Sequence, residues 1–288
     1  IEATFVAVMF FGWGRVSKGF HLASTWLTAI GASLSAYWIL VANGWMQHPV
    51  GMAFNPDTVR NEMVDFWAVV SNPMAVSKFF NSVLSGWMTG AVVVIGICCW
   101  YLLRGREQRF SLASIRVAAV VGIVGAVAVM FSGDRSAVHV ADHQPMKLAA
   151  AEGLQRGGTR APFSIVPGIE IPGMLSVLAT GNADGYVPGI QDILDGYIDR
   201  NGTKHPSAAK MMARGDTALS AFRTYRKAKE SDHELAAAAR QTLMDNSAYF
   251  GYGYISSEEE LIPPVGIVFW AFRVMVGLGC FLLLVMAL

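Results

Sequence analysis

Glu2, in the run IEATF, lies 13 residues before Arg15 in an apolar stretch. At helical rise its carboxyl is about 20 Å from the basic turn that Arg15 opens. An ionisable group that deep in a bilayer costs about 2.5–3.5 kcal/mol on insertion scales and usually marks a path for ions or protons. Ser35, in SLSAYW, lies 14 residues beyond His21 on the next apolar run, again about 20 Å deep. Two polar groups at one depth on neighbouring antiparallel helices would carry protons. Alternatively, Glu2 lies near another loop and Ser35 merely eases helix packing. Arg273, in the last apolar run, is about 14 Å in from Pro264 at the same rise, too deep for an idle cation. Lys78 opens another apolar run near the same face. Two cations at one depth call for an anionic partner. Lys147 and Glu152, in QPMKLAAAEGL, read by themselves as the solvated charges of an ordinary helix start. Met275, two residues after Arg273, reads by itself as packing filler.

The elements that would position these groups are membrane helices. The chain has 288 residues, 53% hydrophobic and 15% charged, with mean hydropathy +0.42; a soluble domain carries about 25% charged residues. A spanning helix needs about 20 mostly apolar residues, and 20–43, 78–102, 112–131 and 265–288 reach or approach that length. Residues 1–13 read as part of a fifth helix, and the apolar beginning and end suggest a piece of a longer chain. The expected fold is all-α: a multi-pass transmembrane helix bundle with four whole spans, one partial span and a long external loop domain. Its segments are 1–132 (helices and short loops), 133–262 (the loop domain) and 263–288 (a last span).

Charge sets the expected orientation. Arg15 and Lys18 lie in one short loop, and Arg104, Arg106 and Arg109 in another. Residues 44–76 carry Asp57, Glu62 and Asp65 against Arg60. The Lys/Arg bias places the first two loops in the cytoplasm and, by alternation, 133–262 outside. Within 55–71, the spacing of Val59, Met63, Phe66 and Val70 predicts an amphipathic surface helix. Residues 206–247 predict two solvated helices broken near Ser231–Asp232. The glycines and prolines of 153–188 predict an ordered loop. Cys98, Cys99 and Cys280 lie in apolar runs without metal or redox spacing and read as small buried hydrophobes. A net charge of +1 gives no nucleic-acid footprint. Gly12, Gly14 and Gly19 lie in a membrane turn and form no dinucleotide fingerprint.

The wording of several segments resembles a known family. The run SAYWILVANGWMQ at 35–47, the segment QPMKLAAAEGL and the helix PPVGIVFWAFRVMVGLG are similar to the catalytic subunit of cytochrome bd-type quinol oxidases. The likeness covers essentially the whole chain, as the third to seventh of nine transmembrane helices plus the quinol loop. It implies a multi-pass protein of the bacterial cytoplasmic membrane, a heterodimer with a second oxidase subunit. Such an enzyme oxidises ubiquinol or menaquinol at the outer face and passes electrons through a low-spin haem b, a second haem b and a haem d to oxygen. By this resemblance Lys147 and Glu152 bind and oxidise quinol, and Glu2 and Ser35 belong to the proton path. Met275 is an axial ligand of the low-spin haem b, with Lys78 and Arg273 at its propionates. The chemistry agrees with the residue types: quinol oxidation releases two protons, so a carboxylate is the expected acceptor, and a lysine can stabilise a developing anion.

One position departs from the family. Where its pattern has a lysine, two apolar residues and the histidine that supplies the other axial ligand, this chain has Lys78-Phe79-Phe80-Asn81. An amide lacks the basic nitrogen that makes imidazole a haem-iron ligand. The histidines are His21, His48, His139, His143, His205 and His233, none well inside an expected span, and His48 is the first alternative ligand. The ligands of the oxygen-site haems are expected in family segments outside this chain. Two other readings remain: a degenerate quinone-binding relative lacking the low-spin haem, and a multi-pass transporter with no haem.

Overall fold

The computed structural model describes residues 2–288. It is mostly helical with little sheet, and its contacts divide it into two units.

The first unit comprises residues up to 51 and 65–133. Helix α1 (Glu2–Phe11) packs on α2 (Lys18–Gln47). Ser17 starts α2 by accepting the Phe20 N–H at 3.3 Å, satisfying a donor the first turn leaves open. The stretch from 52 to 64 belongs to the second unit; beyond it lie α3 (Phe66–Val70), α4 (Pro73–Leu103) and the start of α5 (Gln108–His143). Buried Asn72 caps α4: its carbonyl accepts the Met74 N–H at 3.0 Å, while its amide donates to the His48 carbonyl at 2.9 Å. Pro73 follows at the first helical position, where its missing N–H matters least. Helices α2 and α4 meet closely at Gly44, where an added Cβ would lie 2.9 Å from the Ala75 nitrogen.

The second unit comprises 52–64 and nearly all of 134–288. It contains an antiparallel hairpin of β1 (Met52–Asn55) and β2 (Arg60–Met63), then the end of α5 and α6 (Pro145–Glu152). A second hairpin of β3 (Phe163–Val166) and β4 (Ile169–Ile171) precedes α7 (Met174–Thr180) and α8 (Ile190–Asp195). Helices α9 (Ala208–Ala228) and α10 (His233–Asn246) pack together and on the 3-10 segment Ser247–Tyr254; α11 (Val265–Ala287) closes the order. The α9–α10 break falls at Ser231–Asp232 as expected, with Asp232 accepting the Leu235 N–H at 3.0 Å. Among the described residues, four helices are long and apolar enough to cross a membrane: α2, α4, α5 and α11.

Two expectations need correction. Residues 55–71 do not form one amphipathic helix. Asn55 accepts the Asp57 N–H at 2.9 Å in the turn of the first hairpin, Val59 adopts a positive φ of 52°, and Asp65 then caps the short α3. The apolar spacing that mimics a helix comes from the turn, a strand end and one helical turn in succession. The cysteines are also not all buried: Cys98 is, whereas Cys99 and Cys280 are exposed on this chain. Adjacent helical residues point about 100° apart, so Cys98 and Cys99 cannot share one inward face.

Candidate functional site

The sequence Lys147-Leu-Ala-Ala-Ala-Glu152 lets α6 approach its neighbours closely, because Ala149 and Ala150 are fully buried with nothing larger than a methyl. Gly153 stops the helix in the left-handed region at φ 64°, where a residue with a side chain would be strained. Phe269 of α11 lies so near that a Cβ on Gly153 would meet its ring at 3.3 Å. Glu152 is thereby fixed as the last residue of α6, buried and facing α11.

Its partner there is Arg273. The Nη2–Oε2 distance is 2.7 Å, with side-chain exposures of 8% for Arg273 and 2% for Glu152. Nη1 donates to Glu152 Oε1 at 3.2 Å, which makes the pair bidentate. Nη1 also donates to the Ala151 carbonyl at 2.9 Å, and Nε to the Ser164 carbonyl at 2.8 Å; Nη2 makes a second bond to Ser164. The guanidinium carbon lies 4.2 Å from the Phe269 ring centre, 4.9 Å from Phe163 and 5.2 Å from Phe272, distances at which the rings attract a cation. Burial pushes the Glu152 carboxyl above its ordinary value, and the hydrogen bond and charge of Arg273 pull it back only in part. A carboxyl whose pKa is raised holds an accepted proton more firmly than a solvated one does.

Beside the pair is an apolar cleft of about 340 Å³ lined by Phe163, Ile165, Val166, Trp270, Val274 and Gly277, among others, with the Arg273 side chain in its wall. It can take a flat apolar ring and leave polar substituents near the ion pair. Lys147 is not part of this arrangement. It is exposed, and five residues from Glu152 along a helix it points about 140° away.

Sequence reasoning missed a second cavity, of about 220 Å³, against Pro145 and Leu148 of α6. Its wall includes Asp142, paired with Arg200 at 2.6 Å, and Asp199, which binds His205 at 3.0 Å. The His205 bond and the Thr203 N–H hold Asp199 below the usual carboxylate range. Tyr197 stacks on His205 with ring centres 4.6 Å apart. Burial first, then the Asp199 charge and Tyr186, pushes its phenol up to about 12. The signal in the sequence was the turn Asp199-Arg200-Asn201-Gly202, in which Asp199 accepts the Asn201 N–H at 2.9 Å.

The remaining expected residues fall as follows. Ser35 is exposed on α2, and the Glu2 side chain lies outside the described residues. Half-buried Lys78 donates to Asn43 at 3.0 Å and to Gln47 of α2. Asn81 donates from Nδ2 to Ser132 Oγ of α5 at 3.1 Å. Met275 is 60% exposed and, two residues after Arg273, projects from the other side of α11, about 200° round.

Comparison with known proteins gives these features a family. Residues 1–288 match the family described as cytochrome bd terminal oxidase subunit I. The chain is 38% identical over 300 residues to cytochrome bd-II ubiquinol oxidase subunit 1 of Escherichia coli (strain K12), covering 99% of this chain and 58% of that protein. It is 30% identical over 296 residues to cytochrome bd ubiquinol oxidase subunit 1 of Bacillus subtilis (strain 168), covering 99% of this chain and 51% of the relative. The chain thus spans only part of the relatives' length. The solved bd oxidase from Geobacillus thermodenitrificans shares the fold, with TM-score 0.58 and 21% identity over 99% of this chain and 74% of that one. An integral membrane protein of several apolar helices, this chain belongs to the cytochrome bd terminal oxidase subunit I family.

Proposed function

We propose that the chain is the quinol-oxidising part of a respiratory terminal oxidase of the bacterial cytoplasmic membrane. It works with a second, related subunit, takes electrons from ubiquinol or menaquinol at the outer face, and passes them via haems to oxygen, forming water. The observation that carries this reading is the buried carboxylate of Glu152, in the segment that resembles the family's quinol loop, held by Arg273, whose side chain lines an apolar cleft. The quinol ring enters that cleft, and one hydroxyl passes its proton to Glu152, which releases it to the outer water before taking the second, as the electrons leave one at a time for one-electron acceptors of the haem class. Exposed Lys147 steers the headgroup rather than closing on it. Glu2 and Ser35 are proposed for the proton path from the cytoplasm.

The low-spin haem fits these residues poorly. Met275 offers a thioether, but residue 81 carries an amide whose nitrogen is engaged with Ser132, and a thioether alone is a weak donor. We therefore assign no electron-transfer step to that haem. This observation favours a second reading, a quinone-binding relative that keeps the fold and lacks the low-spin haem. Oxygen uptake by the assembled full-length protein with quinol as sole reductant separates the two. Turnover sustained by quinol supports the oxidase; quinone binding without oxygen uptake supports the relative.

A further inference from the structure

We infer that Arg273 is a positioning residue for Glu152 in quinol oxidation, not a cation held ready for an outside anion such as a haem propionate. The inference rests on the quinol-site reading above. A guanidinium has five N–H donors, and here each has an oxygen partner within the protein. Nε and one Nη2 hydrogen go to the Ser164 carbonyl, one Nη1 hydrogen goes to Ala151, and the remaining two hold the Glu152 oxygens. The rings of Phe163, Phe269 and Phe272 crowd the same group. No donor is left to point at another ligand, so the route from Arg273 to the chemistry runs through the carboxylate.

The two-point hold fixes the rotation of the Glu152 carboxyl and occupies one lone pair on each oxygen. The other lone pairs remain for a quinol hydroxyl, whose O–H bond breaks as the new O–H bond forms on Glu152. Arg273 is the charged group acting on Glu152; α6 and β3 contribute only the Ala151 and Ser164 carbonyls around the guanidinium. Arg273 also ties β3 to the end of α6, which shapes the cleft wall.

A mutant cycle on the full-length oxidase with its partner subunit tests this. Glu152→Gln, Arg273→Gln and the double variant are assayed for kcat with quinol and with an artificial one-electron donor. Each single change should lower quinol turnover by about 100-fold or more, the scale of a lost proton acceptor. The double variant should be no worse than the worse single one. The artificial donor should be oxidised nearly as before. In Arg273→Gln the acid limb of the quinol pH profile should move up by about one unit or more, because an unpaired buried carboxylate keeps its proton. Arg273→Lys, which keeps the charge and loses the two-point hold, should recover part of the rate; it replaces Arg273→Gln in the cycle if that variant does not assemble. Losses that multiply in the double variant, or an equal loss with both donors, would overturn the inference. Full quinol turnover in Glu152→Gln would overturn the quinol-site reading itself.

Discussion

Glu152 and Arg273 stand 121 residues apart in the chain, and their pairing is the feature that sequence could not show. Depth along a helix is legible from residue count, so Arg273 could be recognised as too deep for an idle cation. Direction was partly legible too: Met275 is two positions further on, which places the two about 200° apart. What fixes the partner is the fold of α6, its glycine stop and the β3 carbonyl. Asn81 makes the opposite case, since its chemistry is plain from its type and the structure adds only what occupies its amide. If residue 81 gives no axial ligand, the low-spin haem should be missing or five-coordinate and high-spin through Met275. An absorption spectrum of the reduced full-length enzyme checks this, and Asn81→His should bring up a sharp low-spin band. A normal six-coordinate low-spin haem in the unmodified protein would mean that another residue serves, with His48 the first to replace.

At the scale of elements, the long helices were readable because about 20 apolar residues in a row have few other uses. Their ends were less so: α5 runs on to His143, well past the apolar run that announced it. The hairpin at 52–63 imitates a helix in the sequence because an apolar spacing of three and four also arises when turn, strand and helix follow one another. Asn55-Pro56-Asp57 is the turn signal that argues against a helix there. Helix packing can be tested at Gly44, whose added Cβ would sit 2.9 Å from the Ala75 nitrogen and 3.0 Å from its Cα. Gly44→Ala must push α2 and α4 apart and should destabilise by about 1–3 kcal/mol. Thermal melting of the detergent-solubilised protein would show this as a lower Tm. An unchanged Tm would mean that the two helices do not meet as closely as described.

For the whole molecule, family and orientation rest on different grounds. The family is shown by sequence over the full chain, while the orientation is argued from the arginines of the short loops. With the three cysteines replaced, Ser207→Cys should react with a membrane-impermeant thiol reagent in intact cells, and Arg106→Cys only after the membrane is opened. The reverse pattern would invert the topology. The central claim is that the buried Glu152 accepts quinol protons, one at a time. Its most direct test is the ratio of quinol turnover to artificial-donor turnover in the full-length enzyme carrying Glu152→Ala, with Lys147→Ala alongside. The account predicts that Glu152→Ala lowers the ratio by about 100-fold or more. Lys147→Ala, at an exposed charge, should lower it only about fivefold, the effect of roughly 1 kcal/mol. A Glu152→Ala enzyme that loses both activities equally would contradict the account.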